Sequence, residues 1–122
     1  MKLSVIIPCY NEEKTLEEIF HKVDQFNKFE KEIIIIDDCS NDGTANVINN
    51  LKIKNPAIKT FRHDRNLGKG GGIRTGLSLA TGDLIIIQDA DLEYDPSDYS
   101  NLVEPFLKTD AQVVYGTRFK GG

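Results

Sequence analysis

The segment IIIQDADLEYDP, at residues 85–96, turns from an apolar run into a cluster of carboxylates. Two unpaired carboxylates about 4 Å apart repel each other by about 4 kcal/mol at an effective dielectric constant near 20, a large cost for a small domain. We therefore expect a cation here. An Asp-x-Asp pair at the end of a strand suits Mg²⁺ or Mn²⁺, because these hard cations prefer carboxylate oxygens. Asp89 and Asp91 are the predicted metal ligands. The alternative is a solvated acidic turn in which Asp95 caps the next helix.

Two further clusters carry residue types that recognise a nucleoside. Asp38 follows an apolar run, and an acid there can accept hydrogen bonds from a ribose or a base edge. Its neighbour Asp37 is expected to bind loop amides instead. In the segment PCYNE, Tyr10 could stack on a base and Glu12 could accept a hydrogen bond from it. Alternatively, Glu12 is a first-turn acid that the helix dipole favours.

Basic residues near the same positions are candidates for contact with phosphates. The segment NLGKGGG predicts a glycine-rich loop at residues 66–72 that resembles a phosphate cradle at the start of a helix, although it fits no standard template. Lys69 could reach a diphosphate, or it is a solvated side chain. Arg118, at the end of the last predicted strand, is a diphosphate candidate whose alternative is a surface salt bridge. His63 is expected to be structural or exposed rather than catalytic.

The elements that must position these residues alternate between strands and helices. Apolar runs predict strands at residues 3–7, 33–36, 58–62, 84–87 and 111–115. Helical spacing of apolar residues predicts a helix after each of the first four strands, with Asn11 capping the first helix and Gly82 ending the third. In the third helix, Ile73, Leu77 and Ala80 form the predicted apolar face.

Strands that are apolar on both faces predict an α/β fold with a mainly parallel sheet and helices on both faces. Every polar cluster follows a strand, so we expect all of them to converge at the carboxyl edge of the sheet, where such folds bind ligands. The sequence also ends just past a strand, at Gly122. We therefore expect a single domain over residues 1–122 that is incomplete at its C-terminus, with an exposed sheet edge that could support a homo-oligomer.

Composition limits the class of protein. The 122 residues are 39% hydrophobic and 28% charged, as in an ordinary globular domain. The net charge of −4 argues against the broad basic surface that binds nucleic acid. No apolar run approaches the roughly 20 residues that span a bilayer, and no signal peptide opens the chain, so we expect a cytoplasmic location. Cys9 and Cys39 form no metal-binding pattern and are expected to be small buried thiols.

The chain resembles the family 2 glycosyltransferases in five ordered segments: PCYNE, IIIIDDCSNDGT, NLGKG, ATGDLIIIQDADLEYDP and YGTRF. The resemblance covers essentially the whole chain and is strongest to the dolichyl-phosphate mannosyltransferases and the bacterial polyprenyl-phosphate sugar synthases. It implies a GT-A fold, with a Rossmann-like nucleotide-binding half, that binds a nucleotide sugar together with Mg²⁺ or Mn²⁺.

The resemblance also implies a role for each matching residue. The residues implied to hold the base and ribose are Pro8, Tyr10, Glu12, Ile36 and Asp38. Those implied to hold the ribose, diphosphate and metal are Asp89, Ala90 and Asp91, with Asp91 as the direct metal ligand. Arg118 would contact the phosphates, and Lys69 matches less closely. Asp89, Asp91 and Arg118 are the predicted catalytic residues.

The implied reaction is an inverting transfer of a hexose from a donor resembling GDP-mannose or UDP-glucose to a polyprenyl or dolichyl phosphate. The protein would then work in the cytoplasm, or peripherally at the cytoplasmic face of the membrane. Family members continue for roughly another domain half, which supplies much of the acceptor site. Two alternatives therefore stay open: the acceptor is a saccharide hydroxyl, or the chain is a fragment that binds nucleotide sugar without turnover. A phosphoacceptor receiver domain fits poorly, because its acidic pair follows the first strand, not the second.

Overall fold

Strands and helices alternate along the chain, as the apolar patterns predict. In the computed structural model of the chain, residues 1–90 and the strand at residues 113–115 are described. The elements are β1 (Lys2–Cys9), α1 (Leu16–Gln25), β2 (Glu30–Asp37), α2 (Thr44–Lys54), β3 (Lys59–Arg62), α3 (Gly68–Leu79), β4 (Leu84–Ile87) and β5 (Val113–Tyr115). None of the helices in this described part is long and apolar enough to cross a membrane. The helix predicted after Asp95 lies outside the described residues.

These strands form one parallel sheet in the order β3-β2-β1-β4-β5. The chain winds outward from β1 to β3, and then crosses back to place β4 on the other side of β1. The boundary between β1 and β4 is therefore a topological switch point, where a crevice opens beyond the carboxyl ends of the strands. Cys9 pairs with Asp37 and Ile6 pairs with Ile87, so the loops after β1, β2 and β4 start at the same edge of the sheet.

Helices cover both faces of this sheet, which confirms the predicted α/β architecture. Helices α1 and α2 pack on one face, where Phe20 and Ile48 join a core that includes Val5 and Ile35 of the sheet. Helix α3 packs on the other face, over Ile6, Ile34, Ile36 and Ile87. Because successive residues of each strand point to opposite faces, the continuous apolar runs of β1 and β2 supply both cores.

The start of α1 differs from the prediction that Asn11 caps this helix. The helix begins at Leu16, with Thr15 at the N-cap position. Asn11 adopts a left-handed backbone conformation with φ of 55°, and its side-chain oxygen accepts a hydrogen bond from the amide of Asn41 at 2.9 Å. The prediction was wrong because an asparagine that tolerates this conformation can bind a neighbouring loop instead of its own helix.

The glycine-rich segment is mostly helical, which corrects the prediction of a loop at residues 66–72. Helix α3 begins at Gly68, and its buried residues are Gly71, Gly72 and Gly76. A Cβ atom on Gly76 would lie 2.5 Å from Cγ2 of Ile6, and one on Gly72 would lie 3.1 Å from Cβ of Pro8. Gly72 and Gly76 therefore let the helix backbone lie directly against β1.

The predicted apolar face of α3 is confirmed for Ile73 and Ala80, which pack against the core on this side of the sheet. It was wrong for Leu77, which is 38% exposed, because Gly72 and Gly76 occupy the part of the helix that lies against β1. The predicted end of the helix was also wrong. The helix ends at Leu79, before Gly82. Gly82 belongs to the turn into β4, where its amide donates a hydrogen bond to Ser4 Oγ at 2.8 Å.

Candidate functional site

A cavity of about 300 Å³ opens at the carboxyl edge of the sheet. It is formed by the loops after β1, β2 and β4 and by the first turns of α3. Its lining residues are Pro8, Cys9, Tyr10, Glu12, Asp38, Gly68, Lys69, Gly72, Asp89 and Ala90. The predicted convergence is thus confirmed for the polar clusters that follow β1, β2, β3 and β4.

Seven residues with a predicted ligand-binding role meet in this cavity: Pro8, Tyr10, Glu12, Asp38, Lys69, Asp89 and Ala90. Ile36 does not line it, because its side chain is fully buried in the core with Ile6 and Ile34. Asp91 and Arg118 lie outside the described residues, so their roles stay predictions.

The loop after β1 presents Tyr10 at the cavity. The Tyr10 residue is 45% exposed, although it lies next to buried strand residues. The two residues that follow it are held by the segment after β2. The Asn11 amide donates to Ser40 Oγ in the loop, and the Glu12 amide donates to Thr44 Oγ1 at the start of α2, both at 2.9 Å. The loop is therefore held in place while the ring remains accessible.

The two aspartates at the end of β2 have different surroundings, as predicted. Asp37 accepts a hydrogen bond from the Ser40 amide at 2.9 Å and forms an ion pair with Arg62 at 2.5 Å, so it stabilises the loop. Asp38 lines the cavity. It also accepts hydrogen bonds from the amides of Leu67 and Gly68, each at 2.8 Å, which join the start of α3 to the end of β2.

Asp38 has a buried partner, His63, that the sequence did not predict. His63 is 4% exposed, and its Nδ1 lies 2.7 Å from Oδ1 of Asp38. Burial raises the pKa of Asp38, but the hydrogen bonds from His63, Leu67 and Gly68 outweigh burial and lower that pKa below its ordinary value. Its position in the sequence could have indicated this contact, because His63 directly follows β3 and so lies at the same edge of the sheet as the polar clusters.

Asp89 is paired with a positively charged side chain in this structure. The ammonium group of Lys69 forms an ion pair with its carboxylate, and the Asp89 side chain is 15% exposed. The carboxylate of Glu12 lines the same cavity. This donor chemistry fits Mg²⁺ or Mn²⁺, since Mg²⁺ sites use one or two carboxylates plus substrate phosphates.

The described residues do not form a complete metal site by themselves. Within residues 1–90 and 113–115, no three His, Cys, Asp or Glu side chains are grouped so that they could hold a metal ion. A divalent cation bound at Asp89 would therefore take its other ligands from substrate oxygens, from solvent or from residues beyond 90.

Cys9 lines the cavity but is not suited to nucleophilic chemistry. Burial and the nearby carboxylates of Asp37 and Glu12 raise the pKa of its thiol far above the ordinary value. The thiol is thus protonated at neutral pH, and the thiolate is the nucleophilic form of cysteine. Cys9 and Cys39 are both free; Cys9 is buried, as predicted, whereas Cys39 is only partly buried.

Comparison with protein families gives one match over nearly the whole chain. A family model described as "Glycosyl transferase family 2" matches residues 4–122. A dolichol-phosphate mannosyltransferase of Pyrococcus furiosus is 36% identical over 124 residues, which cover 100% of this chain and 35% of that protein. A prophage bactoprenol glucosyl transferase homolog of Escherichia coli K12 is 38% identical over 99 residues, which cover 79% of this chain and 32% of that protein.

Solved structures show the same fold. The mannosyltransferase PcManGT from Pyrobaculum calidifontis, in complex with GDP-Man and Mn²⁺, superposes with a TM-score of 0.73 at 28% identity and covers 83% of this chain and 31% of that one. The chain thus has the α/β fold of the GT-A enzymes. It spans about a third of the length of the curated relatives it matches.

Proposed function

Because the chain belongs to glycosyl transferase family 2, we propose that it transfers a hexose from a nucleotide sugar to a polyprenyl phosphate. One observation supports this most directly. An accessible aromatic ring, a buried carboxylate and a Lys–Asp ion pair meet in one cavity at the switch point of the sheet. Such a cavity offers a stacking surface, a hydrogen-bond acceptor and charged groups to a nucleoside diphosphate.

The nucleoside is assigned to the side of the cavity formed by β1 and β2. Tyr10 supplies a ring on which a base can stack, and every base offers a face for stacking. Asp38 supplies an ionised acceptor for an N–H or O–H donor of the base or ribose. Pro8 and Glu12 complete this part of the wall.

The diphosphate is assigned to the side formed by β4 and the start of α3. Lys69 is a donor to phosphate oxygens, and Asp89 would hold Mg²⁺ or Mn²⁺ together with Asp91. When bound, such a cation neutralises the negative charge that develops on the leaving diphosphate, which is worth several kcal/mol. Arg118 is assigned to the same phosphates on the basis of its sequence position.

The proposed chemistry is a direct displacement that inverts the anomeric carbon. An acceptor phosphate oxygen forms the new bond to this carbon, while the bond to the nucleoside diphosphate breaks and its electron pair leaves on the diphosphate oxygen. Lys69 lines the cavity beside Asp89. With the diphosphate assigned to this side, its ammonium group would stabilise the charge that develops on the leaving group more than the ground state.

A lipid phosphate acceptor reduces the need for a general base, because its oxygen is already anionic near neutral pH. The two named relatives, a dolichol-phosphate and a bactoprenol sugar transferase, support this acceptor class. Since polyprenyl phosphates reside in membranes, we propose peripheral association at the cytoplasmic face.

A second candidate function is binding of a nucleotide sugar without turnover. It would require only the cavity groups that are assigned above to the nucleoside and the diphosphate. Turnover assays with radiolabelled GDP-mannose or UDP-glucose and a polyprenyl phosphate distinguish the two functions, because only an enzyme yields lipid-linked sugar.

Calorimetric titration tests the donor site itself. We expect GDP or UDP to bind in the presence of Mn²⁺, and we expect chelation of the metal to abolish this binding. Asp89→Ala and Asp91→Ala should each remove the metal-dependent part. Asp24→Ala, at an exposed position on α1, is the matched control and should bind like the unaltered protein. Tight binding that is indifferent to metal and to both substitutions would contradict the proposal.

A further inference from the structure

His63 connects three separate segments of the fold behind the cavity. Its backbone amide donates to the carbonyl of Asp37 at 2.9 Å, which fixes the turn after β3 to the end of β2. Its Nδ1 lies 2.7 Å from Oδ1 of Asp38, and its Nε2 lies 2.7 Å from Oγ1 of Thr75 on α3. Both ring nitrogens and the backbone of this buried residue are therefore engaged.

The chemistry of the partners assigns the direction of the hydrogen bond between His63 and Asp38. An ionised carboxylate only accepts, so the proton on Nδ1 of His63 must be donated to Asp38. The hydroxyl of Thr75 can donate to Nε2 of His63 or accept from it, so this hydrogen bond holds the ring in either case. One chain of hydrogen bonds thus runs from Thr75 through His63 to Asp38.

This chain limits what Asp38 can offer to a ligand. An ionised carboxylate has about four acceptor positions. Groups in the described part of the chain occupy three of them: His63 and the Leu67 amide bind Oδ1, and the Gly68 amide binds Oδ2. The remaining capacity lies on Oδ2, on a residue that lines the cavity.

We propose that His63, held by Thr75, is a positioning residue that orients Asp38 and leaves its Oδ2 one acceptor position for a single N–H or O–H donor of the nucleoside. This inference rests on the proposed nucleotide-binding function and adds to it two residues that do not line the cavity. A merely structural histidine would stabilise the fold without acting through Asp38, and that difference can be measured.

The test is a double-mutant cycle read out as nucleotide affinity in the presence of Mn²⁺, using whichever of UDP and GDP the unaltered protein binds more tightly. His63→Leu removes the donor and should weaken binding by about tenfold. His63→Asn places an amide N–H near the position of Nδ1 and should restore affinity to within about threefold. In an Asp38→Asn background, His63→Leu should cause no further loss, because the residue through which it acts is already changed.

Thr75 provides a second series in case His63→Leu does not fold. Thr75→Val removes the hydroxyl at nearly constant volume and should weaken binding by about threefold, whereas Thr75→Ser keeps the hydroxyl and should bind normally. Additive losses from His63→Leu and Asp38→Asn, or equal affinities of the two Thr75 variants, would overturn the positioning role while leaving the proposed function intact. Failure of the unaltered protein to bind either nucleotide would overturn both.

Discussion

Lys69 and Asp89 form an ion pair inside the cavity, although they come from different elements, the start of α3 and the loop after β4. The pair places a protein cation where the sequence predicts a metal ion. One carboxylate group cannot serve both partners fully, so the ammonium group and a divalent cation compete for Asp89. Substitution of Lys69 therefore tests whether Asp89 binds the predicted metal ion.

Lys69→Met should change metal and nucleotide binding in opposite directions. Without the competing ammonium group, Mn²⁺ alone should bind several-fold more tightly, whereas the Mn²⁺ complex of UDP or GDP should bind about three- to tenfold more weakly, because a phosphate donor is lost. The loss of the free Mn²⁺ signal in electron paramagnetic resonance measures the first effect, and calorimetry measures the second.

Lys54→Met is the matched control for this experiment. Lys54 is exposed at the end of α2, where it borders a crevice with Lys2 and Glu30, away from the cavity. The control removes the same charge and should change neither affinity. Weaker binding of Mn²⁺ alone by Lys69→Met would show that Lys69 does not compete for Asp89.

Tyr10→Ala should weaken nucleotide binding, and Tyr10→Phe should not. Stacking of a base on an aromatic ring contributes about 1–3 kcal/mol, so the alanine variant should lose roughly five- to 140-fold in affinity, while phenylalanine keeps the ring. Inorganic pyrophosphate with Mn²⁺ has no base and serves as the control ligand, since its affinity should be equal in all three proteins. An equal loss for pyrophosphate would place Tyr10 against the phosphates.

The edge at which the site forms was predictable because the strands are apolar on both faces. Such strands require a parallel sheet with helices on both sides, and every loop that follows a strand then starts at one edge. Asp38 and Asp89 could be assigned to one site from this argument alone, although 51 residues separate them in the sequence.

The side-chain partners were not predictable, because they depend on tertiary distances. Asn11 has the composition of a helix cap, yet a loop 30 residues away offers it a better partner. Glycines 70–72 resemble a loop in sequence, and only the close approach of Gly72 and Gly76 to β1 explains why glycine lies within this helix. His63 was missed because a lone histidine gives no sign of the carboxylate and hydroxyl that flank it.

Two glycines of α3 should respond oppositely to alanine. Gly76→Ala would place a Cβ 2.5 Å from Cγ2 of Ile6, so we expect a loss of about 1–3 kcal/mol in the free energy of unfolding. Gly70 is exposed, and a Cβ there would meet only Nη1 of Arg74 at 3.6 Å. Gly70→Ala should therefore be neutral or stabilise by up to about 1 kcal/mol, because alanine favours a helix. Urea unfolding of both variants checks this, and equal effects would contradict the close packing of α3.

Glu32 should make the stability of the fold depend on pH at the opposite edge of the sheet. Its side chain is 8% exposed and lies 2.8 Å from Nζ of Lys59, and it accepts hydrogen bonds from Ser4 Oγ and the Thr81 amide, both at 2.6 Å. Burial raises the pKa of Glu32, but the hydrogen bonds from Lys59, Ser4 and Thr81 outweigh it and lower the pKa from 4.5 to about 2.

The sign of the effect follows from this lowered pKa. Between pH 4.5 and about 2 the unfolded chain binds a proton at Glu32 that the folded protein excludes. The stabilisation is therefore complete above pH 4.5 and is lost as the pH falls through this window. Glu32→Gln should lose about 1–3 kcal/mol at neutral pH and show a shallower decline in stability below pH 4.5. Urea unfolding at several pH values measures both effects, with the exposed Glu30→Gln as the control. An unchanged decline in Glu32→Gln would assign the acid sensitivity to other carboxylates.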